Sequence, residues 1–187
     1  LTTSSAASDV YKRQLMITSC NENDNSQSTT SDNYDRSALL SNLVENIIIP
    51  AHENFSSELN TFNTTISNFE AERTIQNLEF VQEQFIETYK AWQHIEMFNI
   101  GYAEEIYYVS KMNIYPANVT RIMSNISAQD VDMNNPYNYA AQGFPAADYL
   151  LFGLAESNDL ILNNYINTNG NTNAVSYTHL RAHETLL

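Results

Sequence analysis

From Leu39 to Phe69, apolar side chains recur at alternating spacings of three and four: Leu39, Leu43, Ile47, Ala51, Phe55, Leu59, Phe62, Ile66 and Phe69. A strand alternates with a period of two, so this spacing can lie on one face only if the segment is helical. A stripe this long needs other helices to cover it. Asp35 is placed to cap the start of the helix. Pro50 falls inside the pattern, and its ring and missing N–H predict a kink or break near Ile49.

A second helix is expected from about Thr74 to Ile100, with Ile75, Leu78, Gln82, Phe85, Tyr89, Trp92 and Glu96 on one face and Gly101 as the stop. Between Tyr102 and Tyr115 the pattern predicts a short helix followed by an irregular Asn-Ile-Tyr-Pro segment. A further short helix is expected over about 117–126, and the Asn-rich run from Asp130 to Gly143 reads as a loop. Pro145 suits the first turn of a helix carrying Tyr149, Leu150, Phe152 and Leu154. Ser157 is expected to cap a last helix running to about Asn167. Four Gly and four Pro in 187 residues also favour long helices over a turn-rich β fold. The fold class is therefore all-α, an up-and-down helical bundle.

The composition narrows the function classes. With 8 Lys and Arg against 22 Asp and Glu, the net charge is −14, and no basic patch is present to neutralise phosphates. Nucleic-acid binding by charge is excluded. At 43% hydrophobic the chain has material for a core, which excludes a disordered acidic tail. The single Cys rules out a disulfide scaffold.

The two ends read as foreign to the domain. Residues 4–14, SSAASDVYKRQ, correspond to an in-frame translation of a transposon-tagmentation sequencing adapter, and residues 175–185, VSYTHLRAHET, to its partner. Residues 1–14 and 175–187 are accordingly expected to be adapter-derived and non-native. This sets aside His179, His183 and Glu184 as metal ligands. Residues 15–34 then read as a signal-peptide remnant, a lipobox and a flexible tether. Residues 35–174 read as a helical domain lacking its C-terminal part.

Leu15-Met16-Ile17-Thr18-Ser19-Cys20 places small residues before a cysteine, the pattern cut by lipoprotein signal peptidase, and a polar run rich in Asn, Ser and Thr follows. Cys20 is the expected lipidation site. Acyl chains on it, contributing about 0.8 kcal/mol per buried CH₂, would hold the protein on a lipid bilayer. The expected location is the bacterial cell envelope, lipid-anchored and facing the periplasm or the cell surface.

Glu96 shares a face with Phe85, Tyr89 and Trp92, so its carboxylate points toward the core. Either it sits partly hydrated at the helix end, bonded to a Tyr or Arg, or it is held by a cation. His94 lies one helical step off that stripe and reads as a surface residue before a ligand, as does His52. Asp148, one turn into its helix, complements the helix dipole without any metal. Spacing assembles no Ser/His/Asp or Cys/His set.

Two stretches resemble the imelysin family of bacterial envelope proteins, which includes insulin-cleaving metallopeptidases and iron-regulated periplasmic proteins. One runs from Trp92 through Glu96 to Gly101. The other is Gly143-Phe-Pro145-Ala-Ala-Asp148-Tyr149-Leu-Leu-Phe-Gly153, similar to the family's Gly-x-His-x-x-Glu motif and the aromatic-Leu-Leu-x-Gly run after it. The resemblance implies a partial imelysin-like domain, the N-terminal half of a two-bundle fold with a site between the bundles. Glu96, Gly143, Pro145 and Asp148 would form the motif or ligand site, supported by Trp92, Gly101, Tyr149 and Gly153.

The departures are Pro145 where the motif has His and Asp148 where it has Glu. Proline offers no ligand and no proton-transfer group. The expected function is therefore non-catalytic binding of a ligand or a metal, related to iron uptake. Iron, another divalent cation or an iron-bearing partner would be held by Glu96 and Asp148, with His94 a lesser candidate. The alternative is an active metallopeptidase with a different ligand set, His94 or His52 being recruited beside Glu96.

Overall fold

The computed structural model describes residues 34–128 and 131–166. Every regular element among them is helical, and the fold is an all-α helical bundle. The elements are α1 (Arg36–Leu43), a π-helical turn (Val44–Ile48), α2 (Ile49–Ala71), α3 (Ile75–Gln93), α4 (Tyr102–Glu105), α5 (Tyr108–Met112), α6 (Val119–Ser127), a 3₁₀ helix (Pro136–Ala141), α7 (Gly143–Phe152) and α8 (Asn158–Ile166).

The long first stripe divides where Pro50 predicts. Proline cannot donate to the carbonyl four residues back, and the chain absorbs this by widening. The Ile49 N–H reaches Val44 O, a π-type bond, and α2 then starts with Pro50 in its first turn. Beyond the break Phe55, Leu59, Phe62, Ile66 and Phe69 are all buried. Before it the stripe is uncovered: Leu39 is 48% and Ile47 50% exposed, and α1 packs on no other described helix. Periodicity gave the face its direction, but only a neighbouring element could bury it.

The α2–α3 connection is too short to allow anything but an antiparallel hairpin, and this pair forms the main packing seam. Thr74 caps α3, its hydroxyl accepting from the Asn77 N–H at 3.2 Å. Helix α3 ends at Gln93, not near Ile100. After Trp92 the chain tightens into short-range turns, His94 N–H to Ala91 O and Phe98 N–H to Ile95 O, which carry Ile95 into the core. Gly101, with φ +59, is a turn residue at the start of α4, so it does mark a change of direction, one segment later than expected.

Between α4 and α5 stands Tyr107 in the left-handed region, so the predicted single short helix is two. The Asn-Ile-Tyr-Pro segment is irregular as expected. The following helix is α6, capped by Asn118, whose side chain accepts from the Arg121 N–H at 2.9 Å. The Asn-rich run is not wholly loop. It contains the 3₁₀ helix, started by Asn135 accepting from the Tyr137 N–H and followed by Pro136. Its Ala140 carbonyl accepts from the Asn118 N–H at 2.7 Å, tying it to the start of α6.

Helices α7 and α8 are fastened to α3 by buried polar groups. The Gln82 amide donates to Leu151 O at 2.7 Å and to Asn158 Oδ1 at 2.9 Å, and Asn158 donates back to Gln82 Oε1 at 3.1 Å. Tyr165 donates its hydroxyl to Leu150 O at 2.7 Å, and burial pushes its pKa up. Ser157 opens α8, its hydroxyl accepting from the Leu160 N–H, as its position predicts. No described helix is long and apolar enough to cross a membrane.

Candidate functional site

Helix α7 begins with a glycine for a physical reason. Gly143 has φ +68, and a Cβ on it would lie 2.6 Å from Met112 C and 2.7 Å from Lys111 O. Only a residue without a side chain lets α7 start against the C-terminal end of α5. Phe144 follows and enters the core as the hub of an aromatic cluster. Its ring centroid lies 4.8 Å from Tyr89, 5.8 Å from Trp92, 6.0 Å from Phe85 and 6.5 Å from Phe55. Such pairs add about 0.5–1.5 kcal/mol each beyond their buried area. The Gly143-Phe144 step thus sets the position of the whole helix.

With Phe144 locked, the next turn of α7 faces a cavity of about 450 Å³. Pro145, Asp148 and Tyr149 form its α7 wall, with Gly153 at the far end. Phe85 and Tyr89 of α3 form the opposite wall, and the α5–α6 connection supplies Asn113, Tyr115 and Ala117. The volume falls in the range of small-molecule sites.

Asp148 is exposed at this wall. No hydrogen bond or ion pair engages its carboxylate among the described residues, and the apolar surroundings raise its pKa by desolvation. Glu96 is half-buried in the turns after α3 and does not line the cavity. It is linked to it through Asn113, whose amide donates to Glu96 Oε1 at 3.2 Å and to the Tyr89 hydroxyl at 3.4 Å. The bonding partner of Glu96 is therefore an asparagine, where sequence reasoning named a Tyr or Arg.

Among the remaining expected site residues, Trp92 is 1% exposed and serves the core, with its ring 5.4 Å from Tyr108. Burial pushes the Tyr108 hydroxyl up to about 12. Gly101 is exposed and lines nothing in the cavity. His94 and His52 are both exposed and outside the cavity wall. Cys20 and the segments 1–14 and 175–187 lie outside the described residues.

The donor set decides what a metal could find here. Among the described residues no three His, Cys, Asp or Glu side chains come together as a metal-binding group. Glu96, Asp148 and His94 do not converge into one. A structural zinc takes four protein ligands and a catalytic zinc three, so the described residues do not fit a resident metal centre.

Sequence reasoning missed Asn113, Tyr115 and Phe85 as cavity walls. Phe85 was legible as a face residue only. Asn113 and Tyr115 carried no periodic signal, because they sit in the irregular segment that α5 and α6 bring beside α7.

The comparisons with known proteins agree with the geometry at the level of the family. No curated protein and no solved structure matches the chain. Residues 48–186 match the family model described as imelysin, a span that holds α3, the α5–α6 connection and α7, and the chain belongs to the imelysin family.

Proposed function

We propose that this imelysin-family protein is a non-catalytic binding protein of the bacterial envelope, and that the cavity beside α7 is its ligand site. The observation that carries the reading is the chemistry of the α7 wall. Where the family motif has His, the wall has Pro145, which can neither ligate nor transfer a proton. Among the described residues, the only carboxylate on the cavity wall is Asp148, flanked by aromatic faces. A hydrolytic site needs an activated water or nucleophile and a base positioned beside it. One unpaired carboxylate in a mostly apolar cavity is suited to holding a ligand instead.

Iron enters this reading as cargo. An iron-bearing ligand would bring its own coordination shell into the cavity, where Asp148 faces it. The strongly acidic composition supports attraction of cations in general. Anchoring by acylated Cys20 supports placement on a lipid bilayer in the cell envelope, and rests on the Leu15–Cys20 pattern.

The test uses the full chain without lipid. Saturation-transfer NMR with 2-phenylethanol as the probe should detect binding that Val119→Trp abolishes, since Val119 lines the cavity yet is 40% exposed and tolerates a larger side chain. Incubation with insulin in the presence of zinc should leave the insulin intact. Zinc-dependent cleavage lost on Asp148→Asn would overturn the reading in favour of a metallopeptidase. Saturable binding of Fe²⁺ or Fe³⁺ alone that needs both Glu96 and Asp148 would overturn it in favour of a metal site.

A further inference from the structure

The cavity walls restrict which ligand it can hold. Phe85, Tyr89, Phe144 and Tyr149 offer ring surfaces, and Tyr115, 88% exposed, stands at the mouth. Aromatic faces carry negative partial charge and attract poorly hydrated cations. Asp148 supplies a full negative charge on the same wall, and Asn113 holds a second carboxylate, Glu96, one hydrogen bond behind it. Among the described residues, no Lys or Arg lines the cavity. An anionic ligand would meet carboxylates with no compensating charge.

A bare metal ion is poorly served, because it requires several hard donors converging on one point and the described residues provide no such group. A volume of about 450 Å³ is also far larger than a single ion needs. What remains is a cation with its charge at one end and an apolar body to cover the rings.

We propose that the cavity binds an organic ammonium ion carrying an apolar or aromatic body, its charged head at the Asp148 carboxylate and its body against Phe144 and Tyr149. This rests on the reading of the cavity as a ligand site and names the class of ligand. The acidic net charge of −14 would concentrate such a cation near the protein at low ionic strength. Asp148, without an ion-pair partner among the described residues, gains one in the complex.

Three probes of one shape and different charge test this: 2-phenylethylammonium, neutral 2-phenylethanol and anionic 3-phenylpropanoate, titrated by NMR into the full chain at pH 7. The ammonium should bind at least about tenfold more tightly than the alcohol, consistent with a desolvated cation–π contact and an ion pair. The carboxylate should bind most weakly of the three. Asp148→Asn should erase most of the ammonium's advantage over the alcohol, and Val119→Trp should abolish binding of all three.

Equal binding of the three probes, still blocked by Val119→Trp, would overturn the cationic specificity and leave the cavity as a ligand site. An ammonium advantage that survives Asp148→Asn would refute the assignment of Asp148. Absence of any cavity-dependent binding would overturn both this inference and the reading it rests on.

Discussion

Gly143 offers the sharpest mechanical test of how the site is built. Gly143→Ala and Gly101→Ala both place a Cβ on a residue with positive φ, +68 and +59 respectively. Each should cost about 1–3 kcal/mol in backbone strain. The surroundings then separate them. A Cβ at Gly101 meets nothing within 4 Å, whereas at Gly143 it meets Lys111 O at 2.7 Å and the Met112 carbonyl carbon at 2.6 Å. These are backbone atoms at the end of α5, which cannot rotate away as a side chain could. Relieving the overlap requires α7 to shift, and overpacking of this kind costs about 1–3 kcal/mol more.

Urea denaturation reads the difference directly. With m of about 2 kcal/mol/M, Gly143→Ala should lower the midpoint about 0.5–1.5 M further than Gly101→Ala does, with m unchanged. Because α7 carries Asp148 and Tyr149, Gly143→Ala should also weaken 2-phenylethylammonium binding, and Gly101→Ala should not. Equal midpoints for the two variants would refute the close approach of α7 to α5.

Three further expectations follow from the packing and the charge. Phe144→Ala removes the ring at the centre of the aromatic cluster and should destabilise by about 3–5 kcal/mol in the same urea experiment. Gln82→Ala leaves the Leu151 carbonyl and the Asn158 amide unpaired in a buried setting, and should cost about 1–3 kcal/mol. Asp148 has a raised folded pKa, so the folded chain keeps its proton to a higher pH than the unfolded chain. Its ionisation therefore lowers stability as pH rises from about 3.9 through the raised value. Asp148→Asn should remove that slope and stabilise the protein at neutral pH. Ammonium affinity should fall as pH drops through the same window. Tyr89, Tyr115 and Tyr149 are the other ionisable side chains on the cavity wall, and Glu96→Gln is the control for the carboxylate behind Asn113.

What the sequence made legible was what periodicity and capping encode. Phe55 to Phe69, Leu78, Phe85 and Trp92 are buried as their spacing requires, and Ser157 caps the start of α8. Pro50 breaks the first stripe as its missing N–H demands. Three features escaped because nonlocal contacts set them. Leu39 and Ile47 share the stripe but stay about half exposed, because no element from elsewhere in the fold covers that stretch. Helix α3 stops at Gln93 as the chain turns to bury Ile95, with no Gly or Pro there to announce it. Asn113 becomes the link between Glu96 and the cavity only because an irregular segment happens to pass beside α7. The Gly143–Gly153 stretch identified the site's main wall, while its opposite wall depended on the packing of α3.

The most direct test of the cavity as a binding site is a co-crystal structure of the chain with 2-phenylethylammonium. The expected result is the phenyl ring against Phe144 and Tyr149, with the ammonium nitrogen about 2.7–2.9 Å from an Asp148 oxygen. A ligand bound elsewhere, or a metal ion held between Asp148 and Glu96 in its place, would contradict it.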